Sequence, residues 1–245
     1  FPNAKGCICI EDNKPDCIAR MKELAAGVPN IEVKELMTKY PQGGERTLIY
    51  AVTGREINSS MLPADAGCIV DNVETICSIY DAVALGRPIM KRIFTVTGKG
   101  INRPAHFEVC TGTDMAELID AAGGLKEHAG KVISGGPMMG QALFTVDVPV
   151  CKTSSALTCF TKDQVAAFEP TACIRCGRCV GVCPEHLVPP LMMKASTAHD
   201  LEKFQSLNGM ECVECGCCAY ACPARRPLTQ AFKEMRKAVA ASRRK

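Results

Sequence analysis

Two stretches carry the residues most able to do chemistry, "ACIRCGRCVGVCPEH" from Ala172 to His186 and "ECVECGCCAYACPAR" from Glu211 to Arg225. Each contains four cysteines at gaps of two, two and three residues, closed by a proline, and the second adds a fifth, Cys217. Zinc sites take two cysteine pairs from separate turns, and zinc is the alternative occupant. Three cysteines at successive gaps of two instead wrap one corner of an iron–sulfur cube, and the fourth, followed by proline, points to a second cube. That geometry explains why the run occurs twice, since each copy completes the other's cage. The spacing therefore predicts two [4Fe–4S] clusters, one on Cys173, Cys176, Cys179 and Cys222, the other on Cys212, Cys215, Cys218 and Cys183. Such a pair is suited to one-electron transfer.

Position-by-position matching of the two runs leaves Cys217 outside the ligand set, as a small side chain packed beside the cluster or a nearby sulfur. Gly177 and Gly216 follow the second cysteine of each run, where the chain must bend without a bulky Cβ. Arg175 and Arg178 stand beside ligands, either to offset cluster charge or as plain surface residues. Nine further cysteines, including Cys217, bring the total to seventeen. Without a secretory signal, that many unpaired thiols fits a reducing cytoplasm rather than a disulfide framework.

The elements that position these residues can be read from the patterning. "KGCICIED", "NKPDCIARMKELAAGV" and "IEVKEL" read as strand, helix and strand, one βαβ unit of a parallel α/β sheet. "YPQGGERTLIYAVTGRE" is a turn-rich loop entering a helix. "AGCIVDN" reads as a buried strand ending at Asp71 and Asn72, a ligand-facing turn if it closes an open α/β sheet. "VETICSIYDAVALGRP" is a helix stopped at Gly86 and Pro88. From Lys91 the pattern becomes that of a hairpin, followed by a short helix capped by Asp114. "KVISGGPMMG" is a strand leading into a glycine loop, which lacks phosphate-loop register and reads as a plain turn. Between the cysteine runs, "LVPPLMMKASTAHDLEKFQSL" predicts one or two short helices.

Composition narrows the function. Apolar residues at 47% and charged residues at 22% describe a folded domain protein, neither low-complexity nor disordered. No apolar run reaches the length that spans a bilayer, so no direct transmembrane segment is expected. From Arg225 to Lys245 eight basic residues face one acid, Glu234. This tail reads as a solvated helix beginning near Pro227, with docking on an acidic partner or anionic lipid as the alternative. A single aromatic, Phe232, in that segment gives no stacking platform, which argues against nucleic acid.

The ordered set "YPQGGERTLIYAVTGRE", "LPADAGCIVDNVETI", "VTGKGINRPAHFEV", "ISGGPMMG" and the two cysteine runs resembles the C subunit of the Rnf complex, the ion-pumping NADH:ferredoxin oxidoreductase of bacterial membranes. The resemblance implies a cytoplasmic subunit, peripheral on the inner face of the cell membrane, that binds FMN and NADH and docks on the other Rnf subunits. Its first part is also similar to the flavin subunit of respiratory complex I. That likeness maps nucleotide contacts onto Tyr40, Gly43, Gly44 and Glu45, and onto Asp71, Asn72, Val73, Glu74 and Thr75. Gly44 and Asp71 depart from the family's glutamate and asparagine. The module from Lys91 resembles the ubiquitin-like β-grasp module known as SLBB, expected here as a structural or docking element.

The implied fold is a multidomain α+β chain. It consists of an α/β flavin- and NADH-binding part over 1–90, a β-grasp module over 91–150, and a helical two-cluster ferredoxin-like domain with a basic C-terminal helix over 151–245. The family's glycine-rich nucleotide loop is not in the sequence, which opens at Phe1 without methionine, so the sequence reads either as a C-terminal portion or as a form that has lost the loop. The expected function is electron transfer as part of an NADH-dependent oxidoreductase. The competing expectations are a soluble reductase of the cobalamin-reductase type and a non-catalytic iron–sulfur adaptor.

Overall fold

The computed structural model describes residues 3–162 and 168–243. Two compact units emerge, Phe1–Asp71 and Asn72–Lys245. The break falls ahead of the expected boundary at residue 90.

In the first unit, strand β1 (Gly6–Glu11) pairs in parallel with β2 (Ile31–Leu36), with Gly6 opposite Ile31 and Glu11 opposite Leu36. Parallel strands need a crossover, and helix α1 (Pro15–Ala25) supplies it. Pro15 takes the first turn, where its missing N–H costs nothing, and Asp16 faces the positive end of the helix. Helix α2 (Glu45–Thr53) starts at Gly44 and ends on Gly54, whose left-handed backbone lets its N–H reach the Tyr50 carbonyl at 2.8 Å.

The strand expected at "AGCIVDN" is not formed. Gly67 and Cys68 donate their N–H groups into a 3-10 turn over Pro63–Ala66, and Ile69 is 89% exposed. Three apolar residues in a row can enter a sheet only where a neighbouring strand offers an edge, and among the described residues no strand pairs with them.

The second unit begins with helix α3 (Val73–Leu85), capped by Asn72, whose side-chain oxygen accepts the Glu74 N–H at 2.9 Å. A five-stranded sheet follows. Strand β3 (Lys91–Thr97) lies antiparallel to β4 (Ala105–Cys110). Helix α4 (Met115–Ala121) follows, with Asp114 accepting the Ala116 N–H as its cap. Strands β5 (Lys131–Ser134), β6 (Gln141–Ala142) and β7 (Ala156–Phe160) complete the spatial order β4-β3-β7-β5-β6, with β3 and β7 parallel at the centre. Phe94, Val96, Leu118, Ile119, Val132 and Leu157 are among the buried residues that join α4 to the sheet, in the arrangement of a β-grasp. The tight turn after β3 presses on β7, since a Cβ on Gly98 would stand 2.1 Å from the Cys159 carbonyl oxygen.

Strand β7, which follows residue 150, is an inner strand of this sheet. Leu157, Thr158 and Cys159 are all buried between β3 and β5. A strand covered on both faces has no polar alternation, so its sequence does not announce it.

The remaining helices build a separate core. They are α5 (Arg178–Gly181), α6 (Pro189–Thr197), α7 (Leu201–Ser206), α8 (Cys217–Tyr220) and α9 (Leu228–Ser242). Leu228, Phe232, Met235 and Val239 recur at helical spacing along α9 and are buried with Met192 of α6 and Phe204 of α7. The Phe204 and Phe232 rings pack tilted, with centroids 6.2 Å apart. The C-terminal helix is therefore amphipathic: one face is a wall of this core, which corrects the expectation of a merely solvated helix.

Candidate metal centre

The two cysteine runs fold alike because they are a repeat at the level of the backbone. Every landmark recurs 39 positions on, from Cys173 and Cys212 to Pro184 and Pro223. Left-handed backbone occurs at matched places: Arg175 (φ 57) and Glu214 (φ 57), Gly177 (φ 74) and Gly216 (φ 87), His186 (φ 51) and Arg225 (φ 51). Such conformations in non-glycine residues cost energy and persist only where the surroundings hold them. Here they turn the chain around each row of three cysteines. The one-turn helices α5 and α8 then carry the third cysteine of each run, and α6 and α9 start at matched positions as the supporting layer.

This fold brings the cysteines together across the repeats. Cys183, the last cysteine of the first run, lines one space with Cys212, Cys215 and Cys218 of the second. Cys222, the last of the second run, lines another with Cys173 and Cys179, and Cys176 lies close enough to Cys179 to act on it electrostatically. Among the described residues no three His, Cys, Asp or Glu side chains converge on a point suited to one metal ion.

The donor chemistry fits a cluster. The Leu187 N–H donates to Cys183 Sγ at 3.4 Å, the kind of contact that tunes cluster potential. Arg226 lines the space with Cys173, Cys179 and Cys222, and its Nε is buried without a hydrogen-bond partner, a donor that a sulfur-rich cluster would satisfy. Burial pushes the thiols of Cys179, Cys183 and Cys212 up, and that of Cys218 up to about 12. A metal that takes them as thiolates must displace their protons, so loading is coupled to pH.

Cys217 lines the same space as Cys183 and Cys215. Burial, followed by a hydrogen bond with Cys215, pushes its thiol up to about 11. Beside it, Gly216 is required sterically as well as by its backbone, since an added Cβ would stand 2.9 Å from the Met138 carbonyl oxygen. The glycine loop after β5 is thus a turn that packs on the second cage. Sequence reasoning missed this contact because 78 positions separate Met138 from Gly216.

The residues assigned to nucleotide contact are distributed between the two units. Tyr40, Gly43, Gly44 and Glu45 share one exposed turn of the first unit, at the amino end of α2. An aromatic ring, bare backbone and the positive end of a helix there fit one edge of a flavin nucleotide. Gly44 also has an internal reason, because a Cβ there would meet the Pro41 carbonyl oxygen and Thr47 Oγ1, each at 3.1 Å. Asp71 is exposed at the end of the first unit, whereas Asn72 and Thr75 belong to the start of α3 in the second. The Glu74 carboxylate is engaged internally, at 2.8 Å from Arg92 Nη2 and accepting the Ile93 N–H at 3.2 Å.

Comparison with known proteins places this geometry. Residues 1–81 match the Nuo51 FMN-binding domain, 93–142 the SLBB domain and 166–223 the 4Fe-4S dicluster domain. Over 241 residues the chain is 46% identical to the C subunit of the Na(+)-translocating ferredoxin:NAD(+) oxidoreductase complex of Acetobacterium woodii, covering 98% of this chain and 54% of that protein. This chain belongs to the family of C subunits of ion-translocating oxidoreductase complexes. A second member, from the ion-translocating oxidoreductase complex of Pseudomonas aeruginosa, is 40% identical over 237 residues, covering 96% of this chain and 30% of that one. The chain spans about half the length, or less, of these curated relatives. A solved NAD+-reducing [NiFe]-hydrogenase shares the fold at a TM-score of 0.57 and 18% identity, over 96% of this chain and 49% of that one. Among the described residues no helix is long and apolar enough to cross a membrane.

Proposed function

We propose that this chain relays single electrons within an ion-translocating, ferredoxin- and NAD-linked oxidoreductase complex, as the cluster-bearing part of its C subunit. The observation that carries the proposal is the exchange of fourth cysteines, with Cys183 among the thiols of the second run and Cys222 among those of the first. Cys173, Cys176, Cys179 and Cys222 would hold one [4Fe–4S] cluster, and Cys212, Cys215, Cys218 and Cys183 the other. Tyr40, Gly43, Gly44, Glu45, Asp71, Asn72 and Thr75 are the proposed contacts to FMN and NADH. When bound, FMN couples the hydride chemistry of NADH to one-electron steps, which the clusters carry.

The chain's own residues position and insulate. Leu187, Met192 and Phe232 wall the second cage with apolar surface and keep water from it. The Leu187 N–H and Arg226 Nε supply donors at the two cages. The β-grasp module, through the Met138 carbonyl, braces the loop at Gly216. In this reading the protein is peripheral on a membrane complex and meets its partner subunits there.

The test is anaerobic titration of the complete protein with NADH, following flavin and cluster absorbance. The expected result is bound FMN, about eight irons per chain, and bleaching of the clusters by NADH. A protein with both clusters but no flavin, inert to NADH, would be an adaptor and would overturn the enzymatic reading.

A further inference from the structure

The two cages share a backbone, but the charges beside their first ligands differ between the repeats. Arg175 corresponds to Glu214 and Arg178 to Cys217. Around the cage of Cys173, Cys176, Cys179 and Cys222 stand Arg175, Arg178, Lys194 and Arg226, with Arg175, Arg178 and Lys194 exposed. Around the other cage stand Glu185 and Glu214, with Arg236 as the cation that acts on its ligand Cys212 and already neutralised by its pairing with Glu214.

Exposure follows the same division. Cys173 and Cys176 are exposed, whereas Cys215 and Cys218 are buried. Ile174, between the first two ligands, is 65% exposed and forms an apolar tip inside the basic rim. The second cage is covered at Gly216 by the Met138 carbonyl. A cluster surrounded by cations is easier to reduce than one beside carboxylates, and solvent exposure acts in the same direction.

We infer that the cage of Cys173, Cys176, Cys179 and Cys222 holds the higher-potential, terminal cluster, and that its basic face docks an acidic protein carrying a one-electron redox centre. The inference rests on the two-cluster reading above. The charge pattern selects the partner: a rim of Arg175, Arg178 and Lys194 steers an acidic surface toward Ile174 and repels a basic one. In the exchange one electron leaves the reduced cluster and the partner's oxidised centre is reduced by one. No proton or bond changes hands.

The test uses an acidic two-[4Fe–4S] ferredoxin as probe partner and stopped-flow measurement of electron transfer with the anaerobically reduced protein. The double variant Arg175→Glu, Arg178→Glu should fold, because Glu214 already occupies the left-handed conformation of Arg175 in the other repeat. Retention of both cluster signals after dithionite reduction verifies folding and leaves the two-cluster reading intact. The second-order rate should fall by roughly tenfold at low salt, and the difference should close as salt screens the charges. Lys126→Glu, on the β-grasp module, should leave the rate unchanged. A redox titration should place the Cys173-side cluster at the higher potential. Wild-type rates in the double variant, an equal loss in Lys126→Glu, or the reverse order of potentials would overturn the inference.

Discussion

At Cys7, burial and then a hydrogen bond to Glu32 Oε1 at 3.0 Å push the thiol up to about 12. Cys17, on the neighbouring helix, is exposed. The folded state favours neutral Cys7, so its contribution to stability is complete below the ordinary thiol value of 9.0 and is lost as pH rises from there toward 12. Alkylation by iodoacetamide at about pH 8 should therefore label Cys17 well before Cys7, with Cys7 becoming reactive only as the pH nears its own raised value, because the thiolate is the nucleophile. Mass spectrometry of the labelled peptides reads this, and equal labelling at pH 8 would contradict it. The same burial that protects Cys7 acts on the cage thiols, where a metal must compete with protons.

At the scale of elements, α3 is tied to β3 by Glu74 and Arg92, whose side chains are only 29% and 14% exposed. Glu74→Gln removes the charge from that pair and leaves the largely buried Arg92 guanidinium without its counter-charge. The variant should lose roughly 1.5–3 kcal/mol, the range for hydrogen bonds to charged groups, read from the shift in the denaturation midpoint. An unchanged midpoint would show that the contact does not hold the helix. Elements with local signals were legible in the sequence: the Asp114 cap places its carboxylate oxygen next to the helix it starts, and Gly86 marks the stop of α3. Elements defined by distant partners were not. The run Cys68–Val70 is apolar enough for a strand but has no edge to join. Strand β7 is hidden by its burial on both faces, and the tie from Glu74 to Arg92, 18 positions on, leaves no local signal.

Across the whole molecule, the second unit is organised by a 39-residue repeat joined to a β-grasp module. The repeat explains why the cysteine spacing could be read so directly: three thiols at gaps of two, with one glycine among their bends, set three corners of each cage by local geometry. What spacing could not supply is the asymmetry between the cages, because Arg226, Lys194 and Met138 reach them from other parts of the chain. The exchange of ligands is the claim on which the proposed electron relay depends, and Cys183→Ala tests it most directly. In low-temperature EPR of the anaerobically reduced protein, the variant should keep the signal of the cluster on Cys173, Cys176, Cys179 and Cys222 and lose or convert that of the cluster on Cys212, Cys215 and Cys218. Loss of the Cys173-side signal with the other intact would contradict the account.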